Sequence, residues 1–161
     1  MKVVIDTNVI LDLWLYIDPR VEALRQDLEC GGVQWVATQA MKEELKRVLQ
    51  YEHIQVRLAK AVDPVAQLEA EGAPGEDLRH ARLTGQFIVE HMERLAQLED
   101  PSPKARYVCK DADDQKFIDL AQTHQALLIS KDKAVLCMKN RMAKVGVKVL
   151  SVYERGERQP L

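Results

Sequence analysis

The sequence has few cysteines and no long apolar run. These two features argue against a disulfide-rich protein, a zinc finger and a membrane-spanning protein. Its three cysteines, Cys30, Cys109 and Cys137, are an odd number and include no Cys-x-x-Cys pair. This pattern predicts neither a disulfide framework nor a zinc-finger site, and it indicates a reducing compartment. No apolar run approaches the ~20 residues of a membrane-spanning helix, and the apolar run before Asp6 is too short for a signal peptide. We therefore expect a cytoplasmic protein with no membrane partner.

A strong excess of one charge is also missing. The 161-residue chain carries a formal net charge of -2, with 30% charged and 47% hydrophobic residues. Because the molecule as a whole is not basic, any contact with a nucleic acid would have to be local. The length suits one domain with its own core. We expect that domain over residues 1–153, followed by a flexible tail over residues 154–161.

Short apolar segments alternate with amphipathic helical segments along the chain. Strands are predicted at residues 3–5, 34–38, 107–109, 126–130 and 147–152. Helices are predicted at residues 39–51, 113–124 and 133–144, and residues 52–99 are predicted as an inserted pair of helices. The first strand is β-branched and does not alternate, which is typical of a strand buried on both faces. Strands that alternate with helices predict an α/β fold, here a three-layer sandwich around a mainly parallel sheet of about five strands.

Acidic residues lie at or beyond the predicted strand ends. They are Asp6, Glu44, Asp111, Asp113, Asp114 and Asp132. Because right-handed crossovers place the C-terminal ends of parallel strands at one edge of the sheet, we expect these side chains on the same side. Each acid taken alone has a simpler explanation, as a helix cap, a first-turn acid, a turn residue or a solvated ion-pair partner.

Several carboxylates gathered at one edge would require a cation. Four acids in one pocket repel one another strongly where solvation is poor, and like charges raise the pKa of a carboxyl unless a cation relieves them. Oxygen ligands without His or Cys suit a hard cation such as Mg²⁺ or Mn²⁺. The four histidines are scattered along the chain and suggest no alternative ligand set.

Four motifs follow one another in order over nearly the whole chain. They are Val4-Ile5-Asp6-Thr7-Asn8-Val9, Thr38 followed by Glu43-Glu44-Leu45, Asp114 followed by Phe117-Ile118 and Leu120-Ala121, and Leu128-Ile129-Ser130-Lys131-Asp132. In order and spacing they resemble the motifs of the PIN-domain family, and most closely its bacterial branch described as toxin components of toxin–antitoxin systems. The resemblance implies a metal-dependent endoribonuclease that hydrolyses RNA phosphodiesters.

The resemblance also assigns roles to residues. It implies that Mg²⁺ or Mn²⁺ is held, and the reaction catalysed, by Asp6, Glu44, Asp114 and Asp132. Residues expected to orient the ligands or waters are Asn8 and Ser130, with Asp113 as the alternative to Asp114 for the third ligand. Asp12 is an extra acid that fits either a place near the site or a place in solvent.

RNA contacts are expected from the basic stretch at residues 131–148, chiefly Lys131 and Lys133, although an ordinary solvated face explains such a stretch equally well. Trp14 and Tyr16 fit either core packing or base stacking beside the site. The partners implied by the resemblance are an RNA substrate, a second copy of the chain in a homodimer or higher oligomer, and a small antitoxin protein.

Two other functions are compatible with parts of the pattern. One is a catalytically silent module that keeps the PIN fold and binds RNA or protein. The other is a phosphate-transfer domain with an aspartyl nucleophile, but such a domain would show Asp-x-Asp after the first strand, and Asn8 occupies the third position here.

Overall fold

The centre of the protein is a five-stranded sheet whose neighbouring strands all run parallel. In the computed structural model, which describes residues 1–61 and 83–156, the strands are β1 (Lys2–Ile5), β2 (Gln34–Thr38), β3 (Ala96–Glu99), β4 (Leu127–Ile129) and β5 (Val149–Leu150). Val3, Val4 and Ile5 are each at most 1% exposed. Successive strand residues point to opposite faces, so this burial means that both faces of the sheet are covered. The predicted α/β fold with a layered sheet is confirmed.

Helices connect the strands and cover the sheet. Their bounds are α1 (Thr7–Leu11), α2 (Glu22–Glu29), α3 (Gln39–Val48), α4 (Glu52–Lys60), α5 (Gly85–Leu95), α6 (Gln115–His124), α7 (Lys133–Leu136) and α8 (Lys139–Ala143). A π-helical turn at Asp12–Tyr16 continues α1, and a 3₁₀ turn at Pro19–Val21 precedes α2. In the described part of the chain, no helix is long and apolar enough to cross a bilayer.

The sheet grows in two directions from β1, with strand order β3-β2-β1-β4-β5. β2 and β3 lie on one side of β1, and β4 and β5 lie on the other. The order therefore reverses between β1 and β4, whose residues Ile5 and Ile129 are paired at the strand ends. Open α/β sheets bind ligands in the crevice outside the carboxyl ends of the strands at such a reversal.

The predicted third strand is wrong. Residues 107–109 lie in an irregular segment, and the strand in that place of the order is β3, which follows α5 without an intervening turn. Leu95 and Leu98 are three residues apart, which is helical spacing, but Leu98 is 43% exposed on an edge strand. The predicted helical segment at 52–99 therefore contains a strand. Its loop at residues 71–75 and the start of its second helix lie outside the described residues.

The C-terminal third also departs from prediction in its element lengths. The helix predicted over residues 133–144 is two short helices, α7 and α8, and the strand predicted over 147–152 is only the two-residue β5. Gly146 follows α8 with φ +78°, and a Cβ there would lie 2.7 Å from the Gln125 side-chain oxygen. Only glycine fits this tight end to the helix.

Tyr153 fastens the chain after β5 to α2. Its hydroxyl donates a hydrogen bond to Asp27 Oδ2 at 2.6 Å, and Arg155 Nε donates to Asp27 Oδ1 at 3.0 Å. The Tyr153 hydroxyl holds the pKa of Asp27 below its usual range, while burial raises the pKa of Tyr153 to about 12. Arg155 belongs to the segment predicted as a flexible tail, yet it is tied to the domain by this pair; residues 157–161 lie outside the described residues.

We expect Tyr153→Phe to lower the free energy of unfolding by about 1–3 kcal/mol, because it leaves the buried Asp27 carboxylate short of a donor. Since the folded pKa of Asp27 is lowered, this contribution is present above the unfolded pKa of ~3.9 and is lost as the pH falls through the folded value. Urea denaturation at neutral and acid pH measures both effects. The matched change Tyr51→Phe, at an exposed tyrosine, should stay within about 0.5 kcal/mol; an equal loss in both variants would contradict the account.

Candidate active site

Asp6 and Asp132 are linked through Ser130 at the point where the strand order reverses. Asp6 directly follows β1, and its backbone N–H donates to Ile129 O at 3.0 Å, which places it against the end of β4. The Ser130 hydroxyl donates to Asp6 Oδ2 at 2.5 Å and accepts a hydrogen bond from the Asp132 backbone N–H at 3.0 Å. Ser130 is fully buried and Asp6 is 3% exposed. One hydroxyl therefore joins the segments after β1 and β4.

Burial makes the charge on Asp6 costly. Burial is the main cause that raises the pKa of Asp6, and the carboxylates of Glu44 and Asp132 raise it further. Hydrogen bonds from Ser130 and from the backbone of Asn8 act in the opposite direction. The structure thus brings the charges of three predicted site residues within interaction range of one another.

Asp114 lies at the start of α6 and faces the same acids. Its Oδ2 is buried, and no hydrogen-bond partner for it occurs within residues 1–61 and 83–156. Burial, then the charges of Asp132, Asp6 and Asp111, raise the pKa of Asp114 to about 7. Asp113 is exposed, and its backbone N–H donates to Asp111 Oδ1 at 2.9 Å. Of the two candidates for the third acid, Asp114 is the one with a buried oxygen that has no hydrogen-bond partner in the described chain.

Glu44 projects from the second turn of α3 and is held by two neighbours. The Thr7 hydroxyl donates to Glu44 Oε1 at 2.6 Å, and the Lys116 ammonium forms an ion pair with Glu44 Oε2. Neither Thr7 nor Lys116 is among the site residues predicted from the sequence. Lys116 did leave a signal, because a lysine in the first turn of a helix opposes the helix dipole and usually needs a local carboxylate.

A groove of about 350 Å³ opens in front of these side chains. It is lined by Asp6, Thr7, Asn8, Glu44, Arg47, Val48, Tyr51, Asp113, Asp114 and Lys116. Asp132 lies outside this lining: its Oδ1 accepts a hydrogen bond from Ala134 N at 2.7 Å and caps α7. Asp132 is therefore a helix-cap residue, which is the simpler explanation that the sequence offered. Its charge nevertheless contributes to the raised pKa values of Asp6 and Asp114.

The donors present suit a hard divalent cation in type and charge. All of them are carboxylate oxygens, one is buried without a partner, and two of the acids have raised pKa values. As the side chains stand, no group of three or more His, Cys, Asp or Glu residues in the described ranges is arranged to hold a metal ion. Glu44 is paired with Lys116, and Asp132 caps α7.

Lys131 forms an ion pair with a buried carboxylate. Its ammonium forms an ion pair with Oδ2 of Asp12, a residue only 4% exposed. Asp12 is therefore not a solvated acid, and it lies on the π-helical turn beyond the site. Lys133 is exposed at the start of α7. Trp14 is 4% exposed and stacks on Trp35 with ring centroids 5.8 Å apart, which makes it a core residue.

Asp114→Asn should stabilise the protein in EDTA at about pH 8. A raised folded pKa means that the native state holds a proton that the unfolded chain releases, so the wild-type protein loses stability as the pH rises from about 4 to about 7. The asparagine variant lacks this loss, and we expect it to be more stable by roughly 1–2 kcal/mol after screening is allowed for. Thermal or urea unfolding across pH measures the difference.

The matched control for this experiment is Asp100→Asn, which changes an exposed aspartate. Its difference from the wild-type protein should be small and flat with pH. An Asp114→Asn variant that is less stable than the wild type at pH 8 would contradict the repulsion account.

The sequence model of the family described as PIN domain matches residues 2–134. This stretch contains β1 to β4 and every acid described above. No curated protein matches the chain significantly.

Proposed function

Since the chain belongs to the PIN domain family, a family of nucleases in general, we propose that it is a metal-dependent endoribonuclease. Its ligands to Mg²⁺ or Mn²⁺ would be Asp6, Glu44, Asp114 and Asp132. The observation that carries the proposal is the buried Asp114 oxygen, which has no hydrogen-bond partner within the described residues and lies within range of the charges of Asp132 and Asp6. A protein has no structural need for such an arrangement, which costs stability unless a cation is bound.

The bound metal would lower the pKa of a water molecule and neutralise charge on the scissile phosphate. The protein's own residues hold the ligands in place. Ser130 keeps the Asp6 carboxylate fixed by its 2.5 Å hydrogen bond, and Thr7 does the same for Glu44. Asn8 lines the groove between them. No side-chain nucleophile is needed.

Two cations line the groove and suit the negative backbone of a nucleic acid. Arg47 and Lys116 both lie in the lining of the acid groove, and Lys116 already neutralises Glu44. If Glu44 held a metal ion, the Lys116 ammonium beside it would be placed to contact a phosphate oxygen. This local positive charge is what a chain with a net charge of -2 needs in order to bind RNA.

The finer biological role is also part of the proposal. The motifs resemble those of toxin components, so we propose a cytoplasmic toxin of a toxin–antitoxin system, acting as a homodimer or higher oligomer and inhibited by a small antitoxin protein. Growth arrest on expression in bacteria, absent in the Asp6→Asn variant, is the result expected of a nuclease toxin.

A catalytically silent PIN-fold module is the second candidate, because Glu44 is already neutralised by Lys116 and Asp132 caps α7. Such a module would bind RNA or protein without cleaving it. Its signature would be RNA binding that is unaffected by Mn²⁺ and by the removal of a carboxylate.

We expect the purified protein to cleave single-stranded RNA with Mn²⁺ or Mg²⁺ and to lose at least about 100-fold in rate in Asp6→Asn and Asp114→Asn, in line with the loss of a metal ligand or its support. Mn²⁺ should also raise the melting temperature of the wild type and not of these variants. Asp100→Asn serves as the control and should keep both properties. Cleavage that survives in Asp6→Asn would overturn the assignment.

Lys133→Glu should weaken RNA binding and reduce the magnitude of the slope of log K against log salt by about one. Lys131→Gln should have a smaller effect, because Lys131 is paired with Asp12. Fluorescence anisotropy with a labelled RNA, in the Asp6→Asn background, measures both. If Lys139→Glu, on the neighbouring α8, lowers the slope equally, the stretch acts only as a solvated basic face.

A further inference from the structure

We propose that a second groove, next to the acids, is a base-stacking subsite for unpaired nucleotides, with Tyr51 and Tyr16 as its stacking surfaces. The proposal rests on the nuclease function proposed above, since it concerns the strand whose phosphate would lie at the acids. It assigns two named side chains to the nucleotides beside the cleaved bond.

The two grooves are continuous. The second groove, of about 370 Å³, shares Asn8, Val48 and Tyr51 with the acid groove. From there its lining runs to Tyr16 and Lys131. A strand with a phosphate at the acids would therefore have its next nucleotide at this groove, whose volume is in the range of sites for small ligands, ~300–1,000 Å³.

Two tyrosines are exposed in this one groove. Tyr51 is 47% exposed and Tyr16 is 41% exposed, in a chain of which only 5% is aromatic. The other large aromatic residues near this end, Trp14 and Trp35, are at most 4% exposed and pack in the core. Two exposed rings in one groove offer aromatic faces on which a flat aromatic partner can stack.

The backbone holds Tyr51 firmly although its ring is exposed. Tyr51 caps the start of α4, and its carbonyl oxygen accepts hydrogen bonds from Ile54 N and Gln55 N, both at 2.9 Å. The His53 ring lies beside it, with centroids 6.1 Å apart. A ring presented from a fixed backbone loses little freedom when a base stacks on it, which favours binding.

Positive charge accompanies the tyrosines. The Arg57 guanidinium lies 5.7 Å from the centroid of the Tyr16 ring, and Arg47 lines the adjoining acid groove. Aromatic faces interleaved with cations are the combination that binds single-stranded nucleic acid, because every base has a π-face and every nucleotide a phosphate. An apolar protein segment would not need the cations.

The bases of a duplex are not available to such a surface. In an A-form helix the base faces are stacked inside, and specific recognition of RNA uses unpaired bases that stack on aromatic side chains. The subsite therefore favours single-stranded segments, and it is tolerant of base identity because it stacks on bases without reading their edges.

The test uses a single-stranded oligoribonucleotide containing 2-aminopurine, whose fluorescence falls when it stacks, and the same strand annealed to its complement. Titrations are done in the Asp6→Asn background, so that the probe stays intact. Single-strand binding should quench the probe, and the duplex should bind more weakly. Tyr51→Ala and Tyr16→Ala should each reduce the quenching and raise Kd about 5- to 10-fold, with an unchanged salt slope.

Two matched variants separate stacking from a loss of folding. Tyr51→Phe keeps the ring and should retain Kd and quenching. Tyr107→Ala removes another tyrosine that has an arginine over it, Arg106 at 5.5 Å from the ring centroid, but that lies outside both grooves; its Kd should stay within about twofold of the parent. Melting curves confirm that each variant is folded.

Unchanged quenching and Kd in Tyr51→Ala and Tyr16→Ala, or equal binding of duplex and single strand, would overturn the subsite. Its failure is distinguishable from that of the nuclease function. If the wild-type protein cleaves RNA with Mn²⁺ while the tyrosine variants keep their kcat/KM, only the subsite is wrong. If quenching depends on the tyrosines but nothing is cleaved, only the nuclease function is wrong, and a failure of any single strand to bind overturns both.

Discussion

The hydrogen bond between Ser130 and Asp6 is the contact on which the rest of the site depends. It joins the segments after two neighbouring parallel strands, and it holds a nearly fully buried carboxylate in place. Burial and nearby carboxylates disfavour the charge of Asp6, whereas the hydroxyl of Ser130 and the backbone of Asn8 favour it. A carboxylate kept at this position against its own desolvation fits the proposed metal site, since an apolar residue would cost less to bury.

Two lysines neutralise other carboxylates near the site. Lys116 pairs with Glu44 at the edge of the acid groove, and Lys131 pairs with the buried Asp12 at the far end of the second groove. Lys116 lies two residues after Asp114, and Lys131 lies directly before Asp132, so the same segments supply acids and counter-charges. This explains how a chain with a net charge of -2 can present cations beside its acids and remain compatible with a phosphate backbone.

The junction between α3 and α4 gives the two grooves a common wall. Tyr51 and Val48 line both grooves, and Glu44 lies one turn earlier on α3. Packing of α3 against the sheet through the buried Met41 and Leu45 therefore places a carboxylate and an aromatic ring along one path. The proposed metal site and the proposed stacking subsite would therefore share one continuous surface.

Much of this could be predicted from the sequence, because hydrophobic periodicity and chain order are local properties. The unbroken run of Val3, Val4 and Ile5 indicated a strand buried on both faces, and the alternation of strands with helices indicated a parallel sheet with its acids at one edge. The strand Ala96–Glu99 could not be predicted, because its leucine continues the helical spacing of α5 and an exposed edge strand has little apolar pattern of its own.

Hydrophobic pattern and chain order were enough to place Asp6 and Asp132 after two strands of one parallel sheet, whose carboxyl ends meet at one edge. Asp114 instead follows an irregular segment. The folded chain was needed to show that the buried Asp114 oxygen has no hydrogen-bond partner within the described residues, that Lys116 neutralises Glu44, and that Tyr51 is exposed nearby. The physical reason is that pairing between charged and aromatic side chains depends on distances and burial between segments far apart in the chain, which no local pattern of residues encodes.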